Sequence, residues 1–221
     1  RFMVANQLAA VHGQMIITAL LEAILQEVDI PLRLQGIEGD AVFVYAEHPG
    51  DDEAWQRTLS DIGRKLLRFF EVFYVRVVET MESTPCSCQA CTNLEELTLK
   101  VIAHSGHAVF NTVGGTSQIS GTDVILVHRL LKNHVAEQSG WRAYALYTGP
   151  CLEHLRLTHA SCLQLSESYE HLGSIDTFSV DLHSRYQALT ESRRFVVGPD
   201  EADFSMSTDF AAPPPVAWRG E

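Results

Sequence analysis

The sequence predicts an α+β domain in which helices lie over a mainly antiparallel sheet. Three observations carry this reading. Two long stretches, residues 4–28 and 51–82, repeat apolar side chains at spacings of three and four. Short runs between and after them alternate with a period of two and end at glycine-bearing turns. The order from residue 4 is helix, hairpin, long helix, hairpin, helix, strand. With one more strand ahead of Arg1 the pattern becomes βαββαβ-like with an extra hairpin, a split-βαβ, ferredoxin-like arrangement.

The first helix is expected over Val4–Val28. Val4, Leu8, Val11, Met15 and Ala19 share a stripe, and Ile17, Leu21, Ile24 and Val28 continue it on a drifted face. Gly13 marks a point where this helix can bend or split. Pro31 stops it and leads into a strand over Leu32–Ile37. Glu38-Gly39-Asp40 then makes a tight acidic turn, because Gly accepts positive φ and an Asp side chain bonds nearby backbone. Asp40 is expected at the exposed tip of the hairpin. There it is either a soluble turn residue or a carboxylate free to bind a cation.

Asp51, Asp52 and Glu53 suit the positive end of a helix dipole and open the long helix. Its stripe is Trp55, Leu59, Ile62, Leu66, Phe69, Phe73 and Val77, a core pattern rather than a cofactor site. Ser83–Asn93 is expected to be irregular. Leu97, Leu99, Val101 and Ala103 form a strand, and Ser105-Gly106-His107 turns it back into Ala108–Val113. Gly114 and Gly115 end that strand. Ser120 or Thr122 is expected to cap a helix over Asp123–Asn133, with Val124, Val127 and Leu131 on one face. Trp141–Thr148 is a strand broken by Gly149-Pro150. Ser166–Leu182 looks extended, and Ser184–Arg194 has a helical pattern.

Composition narrows the function. The 221 residues hold one sizeable domain with or without an appendage. A net charge of −12 lacks the basic footprint of a broad nucleic-acid or anionic-membrane binder. No apolar run reaches the length of a membrane span. Both chain ends read as cuts in a longer protein. Five cysteines, three of them at 86, 88 and 91, fit a reducing, cytoplasmic setting and metal binding better than a disulfide framework. Three thiolates at those steps can converge on one Zn²⁺, with a fourth ligand from Cys151, Cys162, a His or water. The other reading is three reduced cysteines in a loop. His104 and His107 flank a turn and are either solvated or metal ligands.

Four stretches, in order, carry a resemblance. They are RFMVANQLAAVHGQMIITALLEAIL, GIEGDAVFVYAE, LKVIAHSGHAVF and ISGTDVILVHRLLKN. Together they resemble the class III nucleotidyl cyclase homology domain over residues 1–148. The chain is more similar still to an uncharacterised bacterial family related to those cyclases, which shares the CSCQAC stretch. The resemblance implies a ferredoxin-like nucleotidyl cyclase fold whose first strand precedes Arg1. It gives Asp40 the place of one of two carboxylates that bind Mg²⁺ or Mn²⁺, and Arg129 the place of the transition-state arginine. It also implies departures. Ile125 stands where cyclases position the ribose with Asn, and Gly36 stands near the base-selecting residue.

The expected organisation is a cyclase-like domain over 1–160, an extension over 161–198 and the start of a second domain over 199–221. DFSMSTDFAAPPPVAW in that last segment resembles the opening of a START-like helix-grip domain. The functional expectation is a degenerate cyclase-like module that binds a nucleotide or small molecule or regulates, with pairing into a homodimer. The alternatives are a cyclase active only in the full-length protein and a zinc-stabilised interaction module.

Overall fold

The computed structural model describes residues 10–183 and residue 187. The START-like stretch and the beginning of the first helix lie outside the described residues, as does nearly all of the helix expected at 184–194. Helix α1 spans Ala10–Leu25. It is continuous through Gly13, which is buried. Its core-facing residues are Ile16, Leu20, Ala23 and Ile24. Val11 and Met15, placed on the core stripe by spacing, are 74% and 64% exposed. The helix is apolar round most of its circumference, so period alone does not select the buried face.

Strands β1 (Arg33–Glu38) and β2 (Ala41–Tyr45) form an antiparallel hairpin. Glu38 pairs with Ala41, which leaves Gly39-Asp40 as a two-residue loop. Gly39 has φ +65°, and only the first loop position needs it, as in a type II′ turn. Asp40 is exposed at the tip, as expected. Helix α2 then runs 32 residues, Asp52–Ser83, roughly 48 Å of helix. Asp51 caps it by accepting from the Ala54 N–H at 2.6 Å. Leu59, Phe69, Phe70, Phe73, Tyr74 and Val77 are its buried residues, and α1 packs on it.

The stretch expected to be irregular contains a helical turn, α3 (Gln89–Thr92), followed by a 3₁₀ turn at Leu94–Glu96. Strand β3 is Lys100–Ala103. It does not form a hairpin with the next strand. Instead β3 runs parallel to β6 (Tyr144–Thr148). The reason lies at His107, whose backbone N–H donates to the Asp123 carboxylate at 2.6 Å. That bond ties the 105–107 loop to a helix and leaves it no role as a strand reversal. The real hairpin joins β4 (Val109–Val113) to β5 (Thr116–Ser120), a strand the sequence reading missed. Its loop is Gly114-Gly115 with φ +58° and +82°, the two positive values of a type I′ turn.

Helix α4 is Thr122–Leu130, and α5 is Val135–Ser139. Gly121 occupies the N-cap of α4 with no side-chain cap bond, so neither Ser120 nor Thr122 plays the expected role. The buried residues of α4 are Leu126 and Leu130, while Leu131 is exposed. After β6 comes the short helix α6 (Gly149–His154), with Pro150 in its first turn. Strands β7 (Leu163–Tyr169) and β8 (Gly173–Asp181) follow.

The main sheet has the order β3-β6-β8-β7, parallel between β3 and β6 and antiparallel elsewhere. β6 is buried at every residue. Its side chains alternate between two cores. Ala145 and Tyr147 meet α1 and α2, whereas Tyr144 and Leu146 meet Leu126, Leu130 and Val135 of α4 and α5. The fold is therefore α+β, with mainly antiparallel sheets and helices on both faces of the larger one. No helix among the described residues is long and apolar enough to cross a membrane.

Candidate metal centre

Helix α2 delivers the chain to Thr84, where the backbone becomes extended. Cys86 and Cys88 lie on that extended segment, and Cys88 is the residue that opens α3. Cys91 sits one helical turn further on, on the same side as Cys88. The geometry follows from the C-x-x-C spacing and the turn that begins between the two thiols. The Sγ atoms of Cys88 and Cys91 are 3.5 Å apart, and the Cys88 N–H points at Cys86 Sγ at 3.4 Å.

The fourth group comes from the other end of the chain. His12, on the first turn of α1, brings Nδ1 to 3.4 Å from Cys86 Sγ, 3.4 Å from Cys88 Sγ and 3.8 Å from Cys91 Sγ. All four ligand atoms lie within 4.8 Å of one another. Among the described residues this is the grouping of His, Cys, Asp or Glu able to share one ion. The three cysteines are half-buried, and all five cysteines of the chain are free thiols. Sequence reasoning identified the thiols and left the fourth ligand open among Cys151, Cys162, a His and water. Cys151 is buried in the core, and Cys162 belongs to its edge. Nothing in the local pattern around His12 singles it out, since its partners are more than seventy positions away.

Electrostatics at the cluster are uneven. The Cys91 backbone N–H, and after it His12, bring Cys88 down to about 6. Burial, and then the neighbouring thiol of Cys88, push Cys91 up to about 12. One thiol thus ionises readily while its neighbour resists. A divalent cation held by these side chains would supply the charge that lets all three be thiolates.

The hairpin carboxylate is elsewhere. Asp40 and Arg129 are both exposed, one at the β1–β2 tip and the other in the last turn of α4. The structure brings their elements together through His128. Its ring stacks on Phe43 at 4.1 Å, and its Nδ1 lies 3.3 Å from a Glu38 carboxylate oxygen. Ile125, on the same helix, is 53% exposed.

Two further polar clusters lie outside this grouping, one built on His104, which the sequence singles out, and one on Glu167, which it does not. His104 has only 8% of its side chain exposed. Its Nδ1 is 2.7 Å from Thr148 Oγ1, and its Nε2 is 3.4 Å from Asp123. It is neither solvated nor in a multi-ligand metal cluster; it links the ends of β3 and β6 to the start of α4. His107 is exposed. Glu167 is fully buried and accepts from both the backbone N–H and the ring of His134.

The fold and the cluster together define an α+β domain in which three cysteine thiols and one imidazole lie close enough to share one ion. The model of the family described as "Protein of unknown function (DUF2652)" matches residues 17–139, and the chain belongs to that family. The matched span includes all three clustered cysteines and stops short of His12. A Mycobacterium tuberculosis protein, uncharacterized protein Rv2561/Rv2562, is 29% identical over 174 residues, covering 74% of this chain and 72% of its own. Two solved structures of a bacterial light-regulated adenylyl cyclase match with TM-scores of 0.47 and 0.46 at 10% and 11% identity. They cover 82% and 81% of this chain but 51% and 50% of their own, so the chain spans about half the length of those proteins.

Proposed function

We propose that the chain is a degenerate cyclase-like domain that binds a nucleotide or related small ligand, or regulates, without cyclising a nucleotide itself. The observation that carries this is the pair Asp40 and Ile125. The hairpin offers a carboxylate at its tip that is no part of a multi-ligand grouping among the described residues. The helix beside it carries an exposed isoleucine at the position that the cyclase resemblance assigns to ribose positioning, and an active cyclase would need a hydrogen-bonding side chain there. Two-metal cyclisation rests on paired carboxylates and positioned donors, and losing one preorganised donor costs on the order of 10²–10³ in rate. Mg²⁺ or Mn²⁺ held by one carboxylate and substrate phosphates still supports binding. Arg129 is the side chain expected to meet those phosphates, and pairing of two copies is part of the reading. The test is calorimetric titration of the chain with ATP and GTP in Mn²⁺, beside an assay for cyclic product. Binding weakened by Asp40→Ala without turnover is the expected result. Turnover above the no-protein control, abolished by Asp40→Ala, would reinstate an active cyclase.

A second reading, a zinc-stabilised interaction module, is favoured by the cluster of His12, Cys86, Cys88 and Cys91. The two readings use different parts of the molecule and are compatible.

A further inference from the structure

We infer that His12 is the fourth ligand of a closed tetrahedral Zn²⁺ centre, and that the ion fastens the first turn of α1 to the segment joining α2 to β3. The inference rests on the second reading above, that the three cysteines hold a metal, and deepens it.

Geometry selects the ion. In a tetrahedral zinc site, Zn–S of about 2.3 Å and Zn–N of about 2.0–2.1 Å place ligand atoms roughly 3.5–3.8 Å apart. The three sulfur–nitrogen separations here are 3.4, 3.4 and 3.8 Å, and the Cys88–Cys91 sulfur separation is 3.5 Å. Three soft thiolates and one imidazole suit Zn²⁺ and not Mg²⁺ or Ca²⁺, which take oxygen ligands. Four protein ligands fill the shell, the arrangement of a structural site rather than a catalytic one that keeps a position for water.

The role follows from where α1 is packed. Its later part is held by Ile16, Leu20, Ala23 and Ile24 in the core. Its first turns are not: Val11, His12, Gln14 and Met15 are all exposed, and Gly13 alone faces inward. Apolar burial therefore fixes the later turns, and the bond from His12 to the ion fixes the beginning. The cysteines sit on a segment whose own anchor is Ala90 and Leu94, both in the same core. The ion thus joins two pieces of chain that are remote in sequence and pack into the same core.

The test uses the whole chain purified without added metal. Elemental analysis is expected to find about one zinc per chain. Replacement by Co²⁺ should give the visible bands of a tetrahedral thiolate site. His12→Ala should weaken metal affinity by more than the ~10–100-fold that losing an outer-sphere partner costs. His12→Cys should restore it, and Cys162→Ala, outside the cluster, should leave it unchanged. Hydrogen exchange should lose protection at residues 10–15 in His12→Ala and after chelation, with α2 unaffected. Zinc bound normally by His12→Ala, with an unchanged cobalt spectrum, overturns the inference about His12 and leaves the cysteine metal site standing. No zinc or iron in the wild-type chain, with freely titrating thiols, overturns both. Iron in place of zinc overturns the identity of the ion.

Discussion

Glu167 has 1% of its surface exposed and spends both carboxylate oxygens on a single residue. Oε1 accepts the His134 backbone N–H at 2.8 Å, and Oε2 meets His134 Nδ1 at 2.7 Å. The turn between α4 and α5 is locked from the other side by Asn133, whose Oδ1 accepts from Tyr144 Oη at 2.8 Å and from the Val135 N–H at 3.0 Å. Hydrogen bonds to charged groups contribute about 1.5–3 kcal/mol each, but the His134 side chain is 58% exposed and water can replace much of the ring bond, so Glu167→Ala should lower unfolding stability by about 2–3 kcal/mol in urea denaturation. The Glu167 hydrogen bond, and then its charge, raise the pKa of His134. A raised histidine stabilises the fold fully below its unfolded value of about 6.5 and loses that contribution as pH climbs through the folded value. The stability gap between wild type and Glu167→Gln should therefore be wider at about pH 6 than at about pH 9. A gap independent of pH would remove the ionic part of this account. None of this was legible in the sequence, because a Glu in an alternating strand reads as solvent-facing until its neighbours are known. Asp40 was legible, because the Gly39-Asp40 pair fixes a turn with purely local chemistry.

Among the elements, the loop at 105–107 carries the most consequence for its length. It joins β3 to the start of α4 through Asp123, with His104 on its other flank. Gly106 is required there: a Cβ would fall inside contact distance of the Asp123 carboxylate and 2.7 Å from His104 Nε2. Both neighbours are held, one by the His107 N–H and the other by Thr148. Gly106→Ala should therefore cost about 1–3 kcal/mol, the usual range for overpacking, seen as a lowered denaturation midpoint with an unchanged slope. A loss below about 0.5 kcal/mol would show that Asp123 moves aside freely. Ser-Gly-His between two alternating runs satisfies the local rule for a hairpin turn, which is why this loop reads as one from sequence. Which strand β3 pairs with is decided forty residues later, at β6. The long helix α2 needed no such information. Its cap, its stripe and its length were all written locally, and the observed Asp52–Ser83 differs from the expected 51–82 by one residue at each end.

At the scale of the molecule, β6 is the strand on which both cores depend. Its parallel neighbour β3 precedes it, and its antiparallel neighbour β8 arrives only at Gly173–Asp181. β7 and β8 both lie beyond residue 160, and they complete the sheet. A chain ending at 160 should leave β6 as a bare apolar edge and precipitate, whereas one ending at 183 should stay in solution. Soluble, monodisperse protein from the shorter chain on gel filtration would show that β6 does not need β8.

The same strand order has a meaning in time. Synthesis proceeds at about 5–20 residues per second, so the ~33 residues between the ends of β6 and β8 occupy roughly two to seven seconds. Throughout that interval the nascent chain carries a strand that is buried at every residue in the finished protein, with one row of its backbone groups unpaired. The finished protein has no such edge at β6. Its need for a chaperone should therefore be confined to translation, and slowing the ribosome over the codons for residues 149–181 should lower the yield of native chain without altering the stability of the molecules that fold.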